Sequence, residues 1–290
     1  MFGRHGDGVD GQKTKTRAKP DTPVGESTPT QGAYSTIRLP TVTLRIPDRD
    51  VAAATITNVT RRFGRRWALR GVTLSIGPGE VVGVEGHNGS GKSTLLRILS
   101  TAIKPTGGEA QVFGADVVRQ PTTVRGVVAF LTHYPGLYDD LTAEENLRFA
   151  CRMLGVDYGR VPPVLERVGL AREAGETVRT FSAGMQRRLS LARLLLQRPR
   201  LLLLDEPYNN FDPAGIALVN EVVREVRGAG GAAMIVLHDR HSAGDLLDRV
   251  VRLKQGVVLT DGPAPAVGDA QTSTRLADPH ESTLIAGGAA

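Results

Sequence analysis

Val81-Val82-Gly83-Val84-Glu85 runs into Gly86-His87-Asn88-Gly89-Ser90-Gly91-Lys92-Ser93-Thr94, and then into Leu95-Leu96-Arg97-Ile98-Leu99. The first five residues form a short, near-continuous apolar run. That is the pattern of a strand buried on both faces of a parallel sheet. The last five read as the start of a helix. Between them stands G-x-x-x-x-G-K-[ST], with the strand before it and the helix after it that give the motif meaning. The glycines let backbone amides turn inward, and those amides with the helix N-terminus make an anion site. Lys92 can reach the β- and γ-phosphates of a nucleotide as a point charge, and Ser93 offers a hydroxyl to Mg²⁺. Lysine occurs only at 13, 15, 19, 92, 104 and 254. A lysine in this loop is therefore not one of many surface cations, which weighs against a glycine-rich turn with no ligand.

Working outward, short apolar runs recur at 72–76, 127–131, 201–204 and 234–237, many of them separated by helical stretches. Strands alternating with helices predict an α/β core. Leu201 to Leu204 ends in Asp205-Glu206-Pro207. Carboxylates at the C-terminal end of a parallel strand lie beside the ligand crevice. Asp205 is the candidate to hold Mg²⁺, and Glu206 to orient or deprotonate an attacking water. His238 follows the strand Met234-Ile235-Val236-Leu237. Its imidazole is a candidate partner for the γ-phosphate or that water.

The section 140–198 reads as helical. Thr142-Ala143-Glu144-Glu145 is a capping box, and Leu147, Ala150, Cys151 and Leu154 follow at helical spacing. Cys151 thus falls on an apolar face, as a core residue rather than a reactive thiol. A further helix is expected from 183 to Gln197, before Pro199, with Ser182 as its N-cap.

The chain has 290 residues, 40% of them hydrophobic, enough for a sizeable core, and a formal charge of +6. Its single cysteine excludes an internal disulfide framework and a cysteine-cluster zinc site. No apolar run approaches the ~18 residues of a membrane-spanning helix, and the first thirty residues lack the apolar core of a secretory signal. These features lead us to expect an intracellular protein. Residues 1–50 are expected to form a polar, disordered tail with a basic cluster at Lys13, Lys15, Arg17 and Lys19; a short extended piece is expected around 37–46. An ATP-binding domain is expected over 51–265, with a helical subdomain at about 135–198. A flexible tail is expected over 266–290.

With these motifs in this order, residues about 54–262 resemble the ATP-binding cassette (ABC) ATPases. Gly86 to Thr94 looks like Walker A and Leu201 to Glu206 like Walker B. Ser182-Ala183-Gly184-Met185 looks like the ABC signature, usually L-S-G-G-Q. Asn209-Asn210-Phe211-Asp212 is similar to the D-loop, and His238 to the switch histidine. Phe63 sits where the family carries an aromatic that stacks on adenine, with Trp67 a nearby rival. The resemblance implies a P-loop NTPase core with a mainly parallel sheet, an antiparallel β part near the N-terminus and an inserted helical subdomain. It also implies ATP and Mg²⁺ as ligands, and Glu206, His238 and Lys92 as catalytic residues. A head-to-tail dimer follows from it, in which Ser182 to Met185 of one subunit contact ATP on the Walker A of the other.

Two departures stand out. Phe181, Ala183 and Met185 replace Leu, Gly and Gln in the signature. His133 occupies the position of the family's Q-loop glutamine. Mg²⁺ prefers hard oxygen ligands, so His133 is expected to work through water or the γ-phosphate, its charge state tuning turnover. The stretch Leu131 to Phe149 is similar to the ATP-binding subunits of heme exporters in cytochrome c maturation.

The expected function is ATP hydrolysis powering a membrane transporter, an exporter with heme as a candidate cargo. Its permease subunits would be separate chains, and the second nucleotide-binding subunit an identical or related one. The chain would then be cytoplasmic and peripheral on the inner face of the membrane. The alternatives are a soluble ABC ATPase acting on ribosomes or nucleic acid, for which Arg61, Arg62, Arg65, Arg66 and Arg70 form a basic cluster, and a non-catalytic nucleotide sensor.

Overall fold

The structure is a computed structural model, and it describes residues 51–265. The basic cluster at 13–19, the extended piece at 37–46 and both expected tails lie outside the described residues. Along the chain, β1 (Ala54–Phe63) and β2 (Arg66–Ile76) form a hairpin, followed by β3 (Val81–Glu85) and α1 (Lys92–Leu99). Next come β4 (Gly107–Val112), β5 (Ala115–Asp116), α2 (Pro121–Val127) and β6 (Val128–Leu131). Three helices follow, α3 (Ala143–Leu154), α4 (Val161–Arg167) and α5 (Ala183–Leu195). The chain then runs through β7 (Leu201–Asp205), α6 (Pro213–Gly228), β8 (Ala232–Val236), β9 (Arg249–Lys254) and β10 (Val257–Pro263).

The strands make two sheets. An antiparallel sheet has the order β2-β1-β4-β5. A six-stranded sheet has the order β10-β9-β3-β8-β7-β6, parallel except for the edge strand β10. This is the P-loop NTPase fold, with the antiparallel part and the helical insertion that the sequence suggests.

The near-continuous apolar runs are explained by two cores, one on each face of the parallel sheet. Leu201 and Leu203 of β7 pack into the core shared with α1 and the antiparallel sheet, while Leu202 and Leu204 pack into the core of the helical section. Ala232, Met234 and Val236 of β8 alternate with Ala233 and Ile235 in the same way. With period two along a strand, both sets of side chains must be apolar.

The helical section holds the two helices expected from the sequence, α3 and α5, with the short α4 between them. Thr142 caps α3: its hydroxyl accepts from the Glu145 amide at 3.1 Å, and its own amide donates to Glu145 Oε2 at 2.8 Å. Cys151 is fully buried, and burial pushes its thiol up, in keeping with a core role. α5 ends at Leu195, two residues before the expected Gln197. The Gln197 side chain instead donates to the Val128 carbonyl at 2.8 Å. The apolar run at 72–76 proves to be only the second half of β2, whose first half, from Arg66, is too basic to read as a strand. No helix among the described residues is long and apolar enough to cross a membrane.

Candidate active site

Parallel strands present their C-terminal ends along one edge of the sheet, and the strand order decides which side chains become neighbours there. β3 ends in the loop 86–91, β8 leads to His238, β7 to Asp205 and Glu206, and β6 to His133. The register puts Leu131, Leu204 and Ile235 level with one another. Glu206 and His133 therefore each lie two residues past that line, and His238 three. Because β7 runs between β8 and β6, the two histidines come from the strands on either side of Glu206.

The loop after β3 is a cradle that requires its glycines. Gly91 has φ +110°, and a Cβ there would stand 2.6 Å from the Ala68 carbonyl oxygen. Gly86 has φ +144°, and a Cβ there would collide with the Leu253 carbonyl. Lys92 opens α1 and is buried, its Nζ donating to the carbonyls of Gly86 at 2.6 Å and His87 at 3.2 Å. Burial lowers its pKa, opposed by the nearby carboxylates of Glu206 and Asp205. The Ser90 hydroxyl is buried with no hydrogen-bond partner. An orphaned hydroxyl, a buried ammonium and a helix N-terminus without an acidic residue in its first turn suit a bound polyphosphate. His87, Asn88 and Gly89 are exposed at the tip of the loop, and Thr94 is half-buried in α1.

Asp205 is buried at the end of β7. Burial raises its pKa, opposed first by a hydrogen bond from the Ser93 side chain. Together they offer oxygen ligands of the kind Mg²⁺ takes. No cluster of three or more His, Cys, Asp or Glu that could hold a metal ion is found among the described residues.

Glu206 is half-buried with φ +50°, a conformation costly for a residue with a side chain and sustained by its surroundings. Its Oε1 lies 2.6 Å from His238 Nε2. Its Oε2 accepts from Asn209 Nδ2 at 2.8 Å and lies 3.5 Å from His133 Nδ1. Hydrogen bonds thus hold the carboxylate from two sides, and His133 faces its Oε2 at the longer distance.

Phe63, at the end of β1, is exposed, with the Arg61 guanidinium 4.5 Å from its ring centroid. Trp67 is similarly exposed under Arg62, at 5.5 Å. Both belong to a hairpin that reaches the cradle: Arg66 abuts Gly89, and Ala68 abuts Gly91. Ser182 caps α5, its hydroxyl accepting from the Met185 amide at 3.3 Å. Ala183 is exposed and Gly184 half-buried, while Met185 turns its side chain against the helical core. Asp212 caps α6 through the Gly215 amide at 2.9 Å and accepts from Arg188 of α5 at 2.7 Å. The signature helix and the D-loop are therefore tied together.

Two residues were given no role by the sequence reading. Asn209 is one, named there only as part of the D-loop. The other is Arg187, 3% exposed, which donates to the Thr132 carbonyl and to the carbonyls of Asp205 at 3.2 Å and Glu206 at 2.8 Å. A signal for it existed. Arg187 shares a helix face with Ser190, Leu191 and Leu194, all buried, and a cation on an apolar face needs internal partners.

The fold and this edge of the sheet define a nucleotide-binding P-loop protein. The ABC transporter family model matches residues 69–209. The chain is 38% identical over 216 residues to the daunorubicin resistance ATP-binding protein DrrA3 of Streptomyces coeruleorubidus, covering 73% of this chain and 68% of that one. It is 32% identical over 209 residues to the bacitracin transport ATP-binding protein BcrA of Bacillus licheniformis, covering 71% and 68%. Among solved structures it resembles the dimeric, post-hydrolysis ATP-binding cassette MJ0796 bound to ADP and Pi. There the TM-score is 0.68 at 27% identity, over 73% of this chain and 99% of that one. The chain belongs to the ABC transporter family, as an ATP-binding subunit and an ATPase.

Proposed function

We propose that the chain powers an exporter, hydrolysing ATP at the sheet edge described above. The observation that carries this reading is Glu206 held in place by His238 and Asn209 beside Asp205, Ser93 and the Lys92 cradle. Lys92 and the loop amides of 86–91 bind the phosphates, and Phe63 stacks on the base. Ser93 and Asp205 hold Mg²⁺, which when bound with the nucleotide neutralises phosphate charge. Glu206 orients the attacking water and takes its proton, and His238 fixes the carboxylate that does so.

The dimeric cassette among the similar structures supports a pair, which the ABC resemblance arranges head to tail. In it Ser182, Ala183 and Gly184 of each subunit complete the other's site. Met185 is expected to contribute its amide more than its side chain.

The permease is a separate chain. Its docking surface is the groove of about 330 Å³ lined by Tyr138, Phe149, Met153, Leu154 and Arg193. Tyr138, Phe149 and Met153 are exposed there, Met153 to 71%, and such an apolar patch marks an interaction site. On this reading the chain works on the cytoplasmic face of a membrane. The heme-exporter resemblance of 131–149 and the relatives named for daunorubicin and bacitracin support export. They leave cargo choice to the permease. Of the basic cluster, Arg61 and Arg62 each lie over one of the chain's own rings.

The test is ATPase activity alone and in proteoliposomes with the membrane proteins encoded beside it. Stimulation that Met153→Asp abolishes is expected. Activity indifferent to every such partner contradicts the transporter reading.

A further inference from the structure

We propose that His133 is a positioning residue for the Glu206 carboxylate, acting through its Nδ1, and not a ligand of the nucleotide or its cation. The inference rests on the reading of Glu206 as the residue that orients the attacking water.

Strand order and register carry the argument first. β6 and β8 flank β7, and His133 stands the same two residues past the level Leu131–Leu204 pair as Glu206 does. The two carboxylate oxygens are then shared out, Oε1 to His238 at 2.6 Å, and Oε2 to Asn209 at 2.8 Å and to His133 Nδ1 at 3.5 Å. The last distance is long for a hydrogen bond. It is of the kind that tightens when substrate closes a site.

The backbone on both sides of this contact is pinned by one buried side chain. Arg187 donates to the Thr132 carbonyl, next to His133, and to the carbonyls of Asp205 and Glu206. A guanidinium is a rigid fork, so the loop after β6 and the turn after β7 are held at a set separation. The backbone that bears His133 cannot drift from that of Glu206 without breaking this clamp.

Chemistry points the same way. An imidazole nitrogen is a poor ligand for Mg²⁺, which takes oxygens, but a good hydrogen-bond donor to a carboxylate. Glu206 sits at φ +50°, and a side chain on a strained backbone gains from a third anchor.

The test uses the full chain and its steady-state kinetics. His133→Ala is expected to lower kcat about tenfold, the worth of one hydrogen bond to a charged group. The half-saturating concentrations of ATP and of Mg²⁺ should not change. His133→Asn, which carries its amide on Cγ where the imidazole carries Nδ1, should recover most of the loss. His133→Gln, whose amide lies one carbon further out, should not. Thermal melts of all three should match the native chain, because the residue is half exposed.

Recovery by Gln instead of Asn, or a raised Mg²⁺ or ATP requirement at unchanged kcat, would overturn the proposal and assign His133 to the ligand. Unchanged kinetics in the alanine variant would overturn it too, leaving the enzyme reading intact. Failure of the native chain to hydrolyse ATP under any condition would defeat both.

Discussion

The Nε2 of His238 lies 2.6 Å from Oε1 of Glu206, although 32 residues separate them in the chain. Neither position alone specifies the contact. It follows from β7 and β8 being parallel neighbours with Asp205 level with Val236, which projects both side chains from the same edge. The expected consequence is kinetic. His238→Ala should lower kcat roughly 10- to 100-fold, the range for a hydrogen bond to a charged group, with KM for ATP little changed. A large rise in KM instead would assign His238 to ground-state nucleotide binding.

Lys92 is expected to fail differently. Its ammonium is buried and already points at the cradle carbonyls of Gly86 and His87. Lys92→Ala should therefore abolish measurable ATP binding in a calorimetric titration. Lys92→Arg should not restore it, because a planar guanidinium does not fit where a compact point charge does.

Asp212 gives a pH-dependent prediction. The Gly215 amide, and then Arg188, hold its carboxyl below the usual range. A depressed folded pKa stabilises the protein fully above the unfolded value, about 3.9. That stability is lost as pH falls through the folded one. Loss of a helix cap costs about 1 kcal/mol, and the pair with Arg188 is exposed enough to add little. Urea unfolding of Asp212→Ala should show a destabilisation of about that size at neutral pH, shrinking in acid. A difference independent of pH would mean that the charge contributes nothing.

Leu203 tests the two-core account. It is fully buried on the α1 side of the sheet. Leu203→Ala should cost about 2–5 kcal/mol, read from the shift in the urea midpoint. A cost near zero would mean that the core on that face collapses around the gap.

Much of this site was legible because its motifs are local. Gly86 to Thr94 can be read as a phosphate cradle from the chain alone, since strand, loop and helix N-terminus are consecutive. The capping box at Thr142 and the apolar face holding Cys151 are equally local. What escaped was the part made by strand order. That His133 and His238 meet the same carboxylate depends on which strands flank β7, and no spacing along the chain encodes it. Arg187 escaped because its partners are backbone carbonyls of two distant loops. Met185 stood in a polar motif, yet its thioether packs against the helical core. The short α5 ending reflects Gln197 finding the Val128 carbonyl instead of extending the helix.

The central claim is that Glu206 is the residue that activates water at a site completed by a second subunit. The direct measurement is Mg²⁺-dependent ATP hydrolysis together with oligomeric state by light scattering, for the native chain and Glu206→Gln. The account predicts turnover by the native chain. It predicts a loss of at least about 100-fold in the variant, which still binds ATP and forms a dimer only when ATP is present. A variant that hydrolyses ATP at the native rate, or that stays monomeric while saturated with ATP, would contradict it.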